Sequence, residues 1–489
     1  MIDGAVVWLI VQIVLAVASA YLAYQNAQRI KKMQVPKFDD GDNGYLANTR
    51  STEEVIPVIY GRYRVGGNQV YVSSTGSNNE YLHIIMGISE GPIEALETIY
   101  LDDKPSSDYG GLVYYEFFNG DGNQGLCTSL QAADPNWDDY MRYTAYLYLR
   151  LQYNSEKFAT GLPKISVVVK GRKLYDPRSG VTTYSNNPAL VWRDFMTNAR
   201  YGLGIDVSFI NEAFVMDAAN WCETQTYPYT FNGVLNNRQA FLDNIMDMML
   251  NFRADIIWSE GKYKLVIRKY ETFAMSLTED DIISDSFTFN VPGLADTPNR
   301  IIAKYAEENS SDPGDVGWTM KDQVVEDADA VLTYDLEERD LELPLIGTTS
   351  LEQANLLAIY YLERYRLNKS FSFLAHPKAL SLEPGDMIEA THPLPGWDGR
   401  AVRIIDMGLT QDGLVSLSVQ EEDTLLYDDT LNLSPHTYFS TNLPNPLAVP
   451  PEATNVSFTE EEYFNKDVSY TRLKITFTEP ASPFWDYSE

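Results

Sequence analysis

The chain has 489 residues and a net charge of −32, from 37 Lys and Arg against 69 Asp and Glu. This acidic balance argues against a protein that grips nucleic acid through clustered basic side chains. Apolar residues make up 44% of the composition, which is ample for folded cores, and the length suggests about three domains.

Side chains suited to metal binding or nucleophilic chemistry are few. Cys127 and Cys222 are the only cysteines, too few for a disulfide framework and without the spacing of a zinc site. The four histidines show no ligand spacing either: His83, His376, His392 and His436. We therefore expect no enzymatic activity, no catalytic residues, no metal and no cofactor.

An uncharged apolar run from Ala5 to Tyr24 predicts an apolar helix within residues 1–34, long enough to cross a membrane. Trp8 near one end and Arg29 beyond the other are typical of the flanks of a membrane-spanning segment. The run therefore has the length and the flanking residues of a transmembrane helix.

Three interpretations of this helix are open. A cleaved signal peptide is the weakest, because Asp3 is the only charged residue before the apolar run. A membrane span and a helix buried in a protein bundle or in a channel's lumen fit equally well, since both environments accept an apolar surface all round. The side chains expected to meet lipid or a partner helix are Trp8, Val11, Leu15 and Leu22.

Strands dominate the pattern after a polar linker over residues 35–44. Apolar or alternating runs bounded by Gly and Pro favour strands in this part of the chain. They are predicted at 56–60, 62–65, 69–72, 81–86, 99–101 and 164–170. Tyr114 to Phe158 forms an aromatic-rich insertion between the last two. The pattern indicates a mainly β chain with α insertions, of the α+β class.

Five sequence blocks occur in an order that resembles a known family. They are Pro57–Arg62 (PVIYGR), Gly87–Glu94 (GISEGPIE), Ile99–Pro105 (IYLDDKP), Ser185–Val191 (SNNPALV) and Thr197–Gly204 (TNARYGLG). Together they resemble the signature of the central tail-hub, or tail-tip attachment, proteins of long-tailed lambda-type bacteriophages. The resemblance is strongest from Ile56 to Trp258 and weaker to about Asp429, where Leu382–Asp386 (LEPGD) still fits.

The same blocks also have a plain structural interpretation. Gly61, Gly66 and Gly67 suit tight turns or bulges. Asn187 predicts the N-cap of a helix whose first residue is Pro188, and Arg200 and Gly202 suit the end of that helix.

Three further helices are predicted from apolar periodicity and capping patterns. One covers Phe209 to Cys222, and a second carries an apolar stripe from Phe241 to Phe252. A third begins at a capping box formed by Thr349 and Glu352, and we expect it to dock on neighbouring strands.

Acidic candidates for chemistry are weak. Asp102–Asp103 and Glu337–Glu338 are adjacent pairs, but neighbouring strand residues point to opposite faces and pairs are common by chance in so acidic a chain. We interpret both as solvated charge. Gly120–Gly125 resembles the start of a calcium loop, yet Ala132 stands where a bidentate Glu is needed, so we predict a turn.

The C-terminal region begins with a Pro-rich linker at Leu443–Pro446. Strands predicted at 453–458 and 472–477 resemble the first strands of a fibronectin type III module. Such a sandwich needs about seven strands. We therefore expect either that the chain continues beyond Glu489 or that a partner completes the module.

The family resemblance implies an architecture and an assembly. Hub proteins of this kind consist of several small β-barrel domains with helical insertions, and three copies close the distal end of the tail tube. The implied partners are a distal tail or tube protein, the tape-measure protein and a host surface receptor or membrane. DNA would pass without specific binding, because three chains of charge −32 repel phosphate.

Five domains follow from this resemblance and from the composition. We predict an apolar N-terminal helix over 1–34 and a first hub β-barrel region over 35–184, with its insertion at 106–160. A helical and β hub region over 185–290 precedes a second barrel and small β-barrel region over 291–442. An incomplete fibronectin type III-like module occupies 443–489.

Two functional hypotheses follow. In the first, a virion tail-tip protein takes part in host attachment and genome ejection, and its N-terminal helices plug the hub or grip the tape-measure protein before entering the host membrane. In the alternative, a membrane-anchored surface protein binds or degrades glycans, since 33 Tyr and 8 Trp suit sugar stacking. The missing acid–base pair and the ordered blocks count against the alternative.

Overall fold

A computed structural model describes most of the chain, in two units that span residues 1–433 and 434–489. The described residues are 46, 48–50, 55–158, 161–235, 240–290, 293, 297–308, 317–327, 337–367, 369–431, 454–465 and 468–478. The apolar helix predicted over 1–34, with Trp8, Val11, Leu15 and Leu22, lies outside these residues, as do both linkers. Among the helices within these ranges, none has the length and apolar character needed to cross a membrane.

Two β-sheets and a short helix form the first part of the larger unit. In chain order, the elements are β1 (Val58–Tyr60), β2 (Arg62–Val65), β3 (Asn68–Thr75), β4 (Tyr81–Glu90), β5 (Ile93–Leu101), β6 (Lys104–Pro105), β7 (Val113–Phe118), α1 (Thr128–Ala133), β8 (Thr144–Gln152), β9 (Ile165–Asp176) and β10 (Val181–Tyr184). One sheet has the order β3-β4-β8-β7. The other has the order β10-β9-β5-β6, with β2 also paired to β9, and β1 belongs to neither of these sheets.

The central strands of the first sheet are buried on both faces. Ile84 and Met86 of β4 face the second sheet, in a core that also contains Val167. Ile85 faces the opposite way and packs in a smaller cluster with Leu130 of α1. Because both faces are covered, β4 is a continuous apolar run without the alternation typical of a half-exposed strand. The predicted strands of this region are present.

The rest of the larger unit adds four helices and twelve strands among the described residues. In chain order, they are α2 (Pro188–Thr197), α3 (Glu212–Thr224), β11 (Gly233–Leu235), α4 (Phe241–Leu250), β12 (Ala254–Ser259), β13 (Lys262–Ile267), β14 (Met275–Leu277), β15 (Thr288–Asn290), β16 (Arg300–Glu307), β17 (Thr319–Glu326), β18 (Asp340–Pro344), α5 (Leu351–Arg366), β19 (Ser370–Ala375), β20 (Met387–His392), β21 (Trp397–Leu409) and β22 (Val415–Glu421).

The helices form a second core around aromatic side chains. Trp192, Phe195, Phe231 and Phe252 are fully buried there. The sheet β17-β16-β18 contributes to the same core, and α5 packs on β16 and β17 as expected.

A six-stranded sheet with the order β14-β20-β21-β22-β19-β15 has its own apolar core. Both of its edge strands belong to one stretch of chain, residues 275–290, yet each pairs with a single neighbour. The sheet therefore stays open. Within the described ranges no sheet closes into a barrel, so the structure shows the predicted β-rich fold without closed barrels.

Helix boundaries confirm some predictions and correct others. Asn187 caps α2, since its side chain accepts a hydrogen bond from the Ala189 amide. The helix predicted from Phe209 begins later, at Glu212, because Phe209 belongs to a short 3-10 turn. The capping box at Thr349 is wrong by one residue: Ser350 is the N-cap of α5.

The described part of the smaller unit is a hairpin of β23 (Thr454–Asn465) and β24 (Val468–Thr478). Phe458 pairs with Ile475 and Glu460 with Leu473, so Phe458, Ile475 and Leu473 share one face. All three are at least half exposed, at 63%, 54% and 60%. The strands predicted in this region are confirmed as a hairpin.

Candidate functional site

Four of the family-like blocks meet where the two-sheet region joins the helices, and we call this place the motif joint. The four blocks are Pro57–Arg62, Gly87–Glu94, Ser185–Val191 and Thr197–Gly204. The Glu90 amide of the second block donates to the Pro57 carbonyl of the first, at 2.9 Å. Gly61 of the first block accepts from the Gly171 amide of β9, at 2.7 Å. The chain thus brings residues that are far apart in sequence into one backbone network.

An ion pair connects the second block to the last one. Arg200 donates to both carboxylate oxygens of Glu90, with Nη2 3.2 Å from Oε1. The Glu90 side chain is only 12% exposed, while that of Arg200 is 50% exposed. The guanidinium therefore covers the carboxylate, and its outer face lies against the Tyr143 ring at 5.5 Å.

Two tyrosines converge on Asp194 of α2. The hydroxyls of Tyr60 and Tyr201 each donate to Asp194 Oδ2, at 2.7 Å. Burial and the Asp194 charge raise the pKa of both tyrosines well above the ordinary value. Both hydroxyls therefore remain protonated donors at any physiological pH.

Asn187 fixes the crossing of two helices. Its Oδ1 accepts from the Ala189 amide at the start of α2, and its Nδ2 donates to the Ala219 carbonyl of α3 at 2.9 Å and to Glu223 at 2.8 Å. One amide side chain thus caps one helix and binds the next.

Glycine is required at two positions of the joint. A Cβ on Gly61, whose φ is +64°, would lie 2.3 Å from Asn232 Oδ1. A Cβ on Gly202 would lie 1.9 Å from the Phe195 carbonyl oxygen. The glycines therefore permit close backbone approach, as their turn interpretation predicts.

The phrase Leu382–Asp386 takes part in a second junction, between the β12–β13 hairpin and the six-stranded sheet. Lys264 of β13 is buried and forms an ion pair with Glu383. The Gly385 carbonyl accepts from Arg403 Nη1 at 2.8 Å. We call this region, together with Glu422, the ionic joint.

Glu422 is the centre of the ionic joint. Its side chain is fully buried and accepts from Arg403 Nε at 3.0 Å and from Tyr427 Oη at 2.6 Å. Arg364 of α5 lies 3.4 Å away. The buried carboxylate thus connects β21, α5 and the turn after β22 through its partners.

Residues that were weighed for chemistry have structural roles. Asp102 and Asp103, both with positive φ, form the tight turn between β5 and β6. The prediction that they are strand residues is therefore wrong. Gly120–Gly125 is a turn, as expected. Within the described ranges, no group of three His, Cys, Asp or Glu side chains is placed to hold a metal ion.

Sequence reasoning missed the joints themselves. No spacing in the sequence pairs Arg200 with Glu90, or Arg403 with Glu422. Charged side chains next to apolar runs, such as Arg403 before Ile404 in β21 and Glu422 directly after β22, are the signal that could have indicated a buried network.

Comparison with known proteins identifies relatives of this chain. A family of putative phage tail proteins matches residues 241–406, which include most of the ionic joint. Tip attachment protein J of Escherichia phage SECphi27 is 23% identical over 395 residues, which are 74% of this chain and 31% of that protein. The chain thus spans about a third of the length of that relative.

A solved structure shares the fold of this chain. A protein in the virion of a native gene transfer agent particle has a TM-score of 0.56 and 17% identity, covering 78% of this chain and 87% of that one. The 43 kDa tail protein of prophage MuSo2 from Shewanella oneidensis has a TM-score of 0.32 and 10% identity, over 76% of this chain and 99% of that one.

These relatives show the class of protein: the chain is related to phage tail proteins. Within that class it is a homologue of a tail-tip attachment protein. The resemblance predicted from the five blocks is therefore confirmed.

Proposed function

We propose that this chain, a protein of the virion tail, forms the hub of the tail tip and takes part in host attachment and DNA delivery. One observation carries the proposal: the family-like blocks assemble into the motif joint, a network of hydrogen bonds and an ion pair, in a homologue of a tail-tip attachment protein. The contacts of the joint hold an architecture in place, which is what a structural hub requires.

The proposed assembly is a homotrimer that closes the distal end of the tail tube. Its partners are a distal tail or tube protein above, the tape-measure protein within and a host receptor or membrane below. The charge of −32 per chain supports a channel in which DNA slides without binding, since carboxylates repel phosphate.

The N-terminal segment supplies a plug or a grip in this proposal. Three apolar segments, with Trp8, Val11, Leu15 and Leu22 as contact residues, would bundle inside the hub and enter the host membrane during ejection. Replacing Val11 and Leu15 by Asp should abolish assembly or infectivity, because charge is costly in either environment. Val11→Leu with Leu15→Ile is the matched control, and normal plaques from the Asp variant would contradict this role.

The hairpin β23–β24 fits the start of a fibronectin type III-like module. In such a module, the exposed face of Phe458, Leu473 and Ile475 would be the inner face of the sandwich. A two-stranded hairpin is marginally stable alone. Further strands would cover that face.

The decisive experiment is to disrupt the gene and examine the particles by electron microscopy. We expect tails that lack the tip structure or fail to assemble, and restoration by the gene supplied in trans. An epitope on the chain should then label the distal end of the tail. Infectious particles with normal tips in the absence of the chain would overturn the proposal.

A further inference from the structure

We propose that an exposed patch beside the motif joint is the surface through which copies of this chain contact one another. The patch consists of Tyr143, Arg200, Leu203, Phe241 and Leu242, and we call it the outer patch. This inference rests on the homotrimer proposed above, and it names the surface that builds the trimer.

A series of contacts links the elements that carry the outer patch. Arg200 stacks over the Tyr143 ring at 5.5 Å. Three positions farther along the same block, the Leu203 amide donates to the Phe195 carbonyl at 3.0 Å. The buried Phe195 ring lies 6.0 Å from the ring of Phe241, at the start of α4. The patch therefore draws together a loop, the last sequence block and a helix.

The apolar members of the patch are substantially exposed. The exposed fraction is 50% for Tyr143, 45% for Phe241, 43% for Leu242 and 38% for Leu203. Aromatic side chains and Arg, with apolar neighbours, are the composition enriched at the centres of protein interfaces. An exposed cluster of this kind marks an interaction surface.

The backbone that presents Tyr143 is strained. Met141 and Tyr143 have φ of +44° and +65°, a region that bulky side chains rarely adopt. Buried Gln124 holds this loop, since its side-chain amide contacts the carbonyls of Tyr140 at 3.0 Å, of Met141, and of Thr144 at 3.2 Å. Strain that is held so firmly is typical of functional sites, and here it keeps an aromatic ring in solvent.

A second copy of this chain is the occupant that charge favours. Two chains of net charge −32 repel each other wherever their carboxylates come face to face. They therefore associate best through a surface of apolar side chains, which carry no charge. Exposed Arg142 stacks over Tyr140 at 5.2 Å and directly precedes Tyr143 in the sequence. Its charge finds acidic partners on a copy of so acidic a chain. In the proposed trimer the patch contacts a different surface of the next copy, and a threefold rotation between copies closes such contacts into a ring.

The test is the mass of the full-length chain by sedimentation equilibrium, in mild detergent and without it. Phe241→Asp combined with Leu242→Asp should weaken the trimer at least tenfold. The matched control is Leu394→Asp, since Leu394 is 65% exposed in the loop between β20 and β21 and belongs to no joint. That control should remain a trimer.

Tyr143→Gly separates association from folding. Glycine adopts positive φ without strain, so this variant should keep or raise the thermal midpoint while it weakens the trimer. A general folding defect would lower both the thermal midpoint and the stability of the trimer. A lowered midpoint would therefore identify misfolding as the cause of a weaker trimer.

The outcomes distinguish this inference from the proposal on which it rests. A wild-type trimer that both outer-patch variants leave intact overturns the outer patch and leaves the trimer standing. A wild-type chain that stays monomeric at every concentration overturns the homotrimer and, with it, a second copy as the occupant.

Discussion

Tyr60 and Tyr201 donate their hydroxyl hydrogens to the same oxygen atom, Asp194 Oδ2, each at 2.7 Å. One residue belongs to the first strand and the other to the loop after α2, so a single carboxylate of α2 ties both to the helical core. The two hydrogen bonds share an acceptor, and their energies are therefore expected to be coupled.

Single Tyr60→Phe and Tyr201→Phe variants should each lose about 1 kcal/mol of unfolding free energy, the usual net contribution of one hydrogen bond. The double variant should lose more than the sum by about 1 kcal/mol, because it leaves the Asp194 oxygen without either donor. Urea unfolding of the four proteins measures the coupling.

Tyr114→Phe is the matched control for this cycle. The Tyr114 hydroxyl also bonds to a carboxylate, that of Glu116 at 2.7 Å, but its side chain is 40% exposed. Water replaces the lost partner there, so the change should stay within about 0.5 kcal/mol. Strict additivity of Tyr60→Phe and Tyr201→Phe would show that Asp194 does not couple them.

Glu422→Gln should destabilise the protein by about 3–5 kcal/mol, the usual loss when one member of a buried ion pair is removed. The amide cannot balance the charge of Arg403, which is 3.0 Å away and buried with it. Chemical denaturation at neutral pH measures the loss.

Glu363→Gln is the corresponding surface control. Its partner Arg366 lies 3.1 Å away, and both side chains are about a third to a half exposed. Exposed pairs contribute little, so this variant should change stability by less than about 1 kcal/mol. Equal losses in both variants would mean that burial of Glu422 does not set its contribution.

Local signals were sufficient to predict much of the fold. Strands such as Tyr81–Met86 follow from a run of apolar residues, and the start of α2 follows from Asn187 and Pro188, because capping depends on neighbours in sequence. The glycines at 61 and 202 were recognised as turn or helix-end residues for the same reason.

Long-range geometry was not accessible in this way. The pairing of Arg200 with Glu90 depends on how the two-sheet region meets the helices, which no local pattern encodes. The strand prediction for Asp102 and Asp103 is wrong because both residues adopt positive φ in a tight turn. Asp adopts this conformation only in certain contexts, so the sequence alone does not predict it. The closure of a sheet likewise depends on its edge strands, which the five blocks do not reveal.

Both cysteines should resist thiol reagents in the native protein. Burial raises the pKa of Cys127 to about 11 and that of Cys222 still higher, so neither forms the reactive thiolate near pH 8. Ellman's reagent should therefore label fewer than one thiol per chain until denaturant is added, and two afterwards. Rapid labelling of the native chain would show that one of these sites opens readily.

His83 should make stability depend on pH below neutrality. It is buried on β4, with Nε2 2.7 Å from Thr75 Oγ1 and Nδ1 2.9 Å from Tyr148 Oη. Burial, and then the positive charge of Arg150, lower its pKa below 6.5, while Asp134 acts weakly in the opposite direction. The folded protein thus binds fewer protons at His83 than the unfolded chain does.

The sign of the effect follows from this difference in protonation. The stability that neutral His83 contributes is fully present above pH 6.5 and is lost as the pH falls towards the lowered pKa of the folded state. In His83→Gln, an amide still reaches both hydroxyls but does not titrate, so this loss should disappear. Thermal melting from pH 7.5 to pH 5.5 should therefore show a steeper decline for wild type than for His83→Gln, since the carboxylates common to both proteins cancel in the comparison. Parallel declines would mean that His83 accepts its proton as readily in the folded protein as in the unfolded chain.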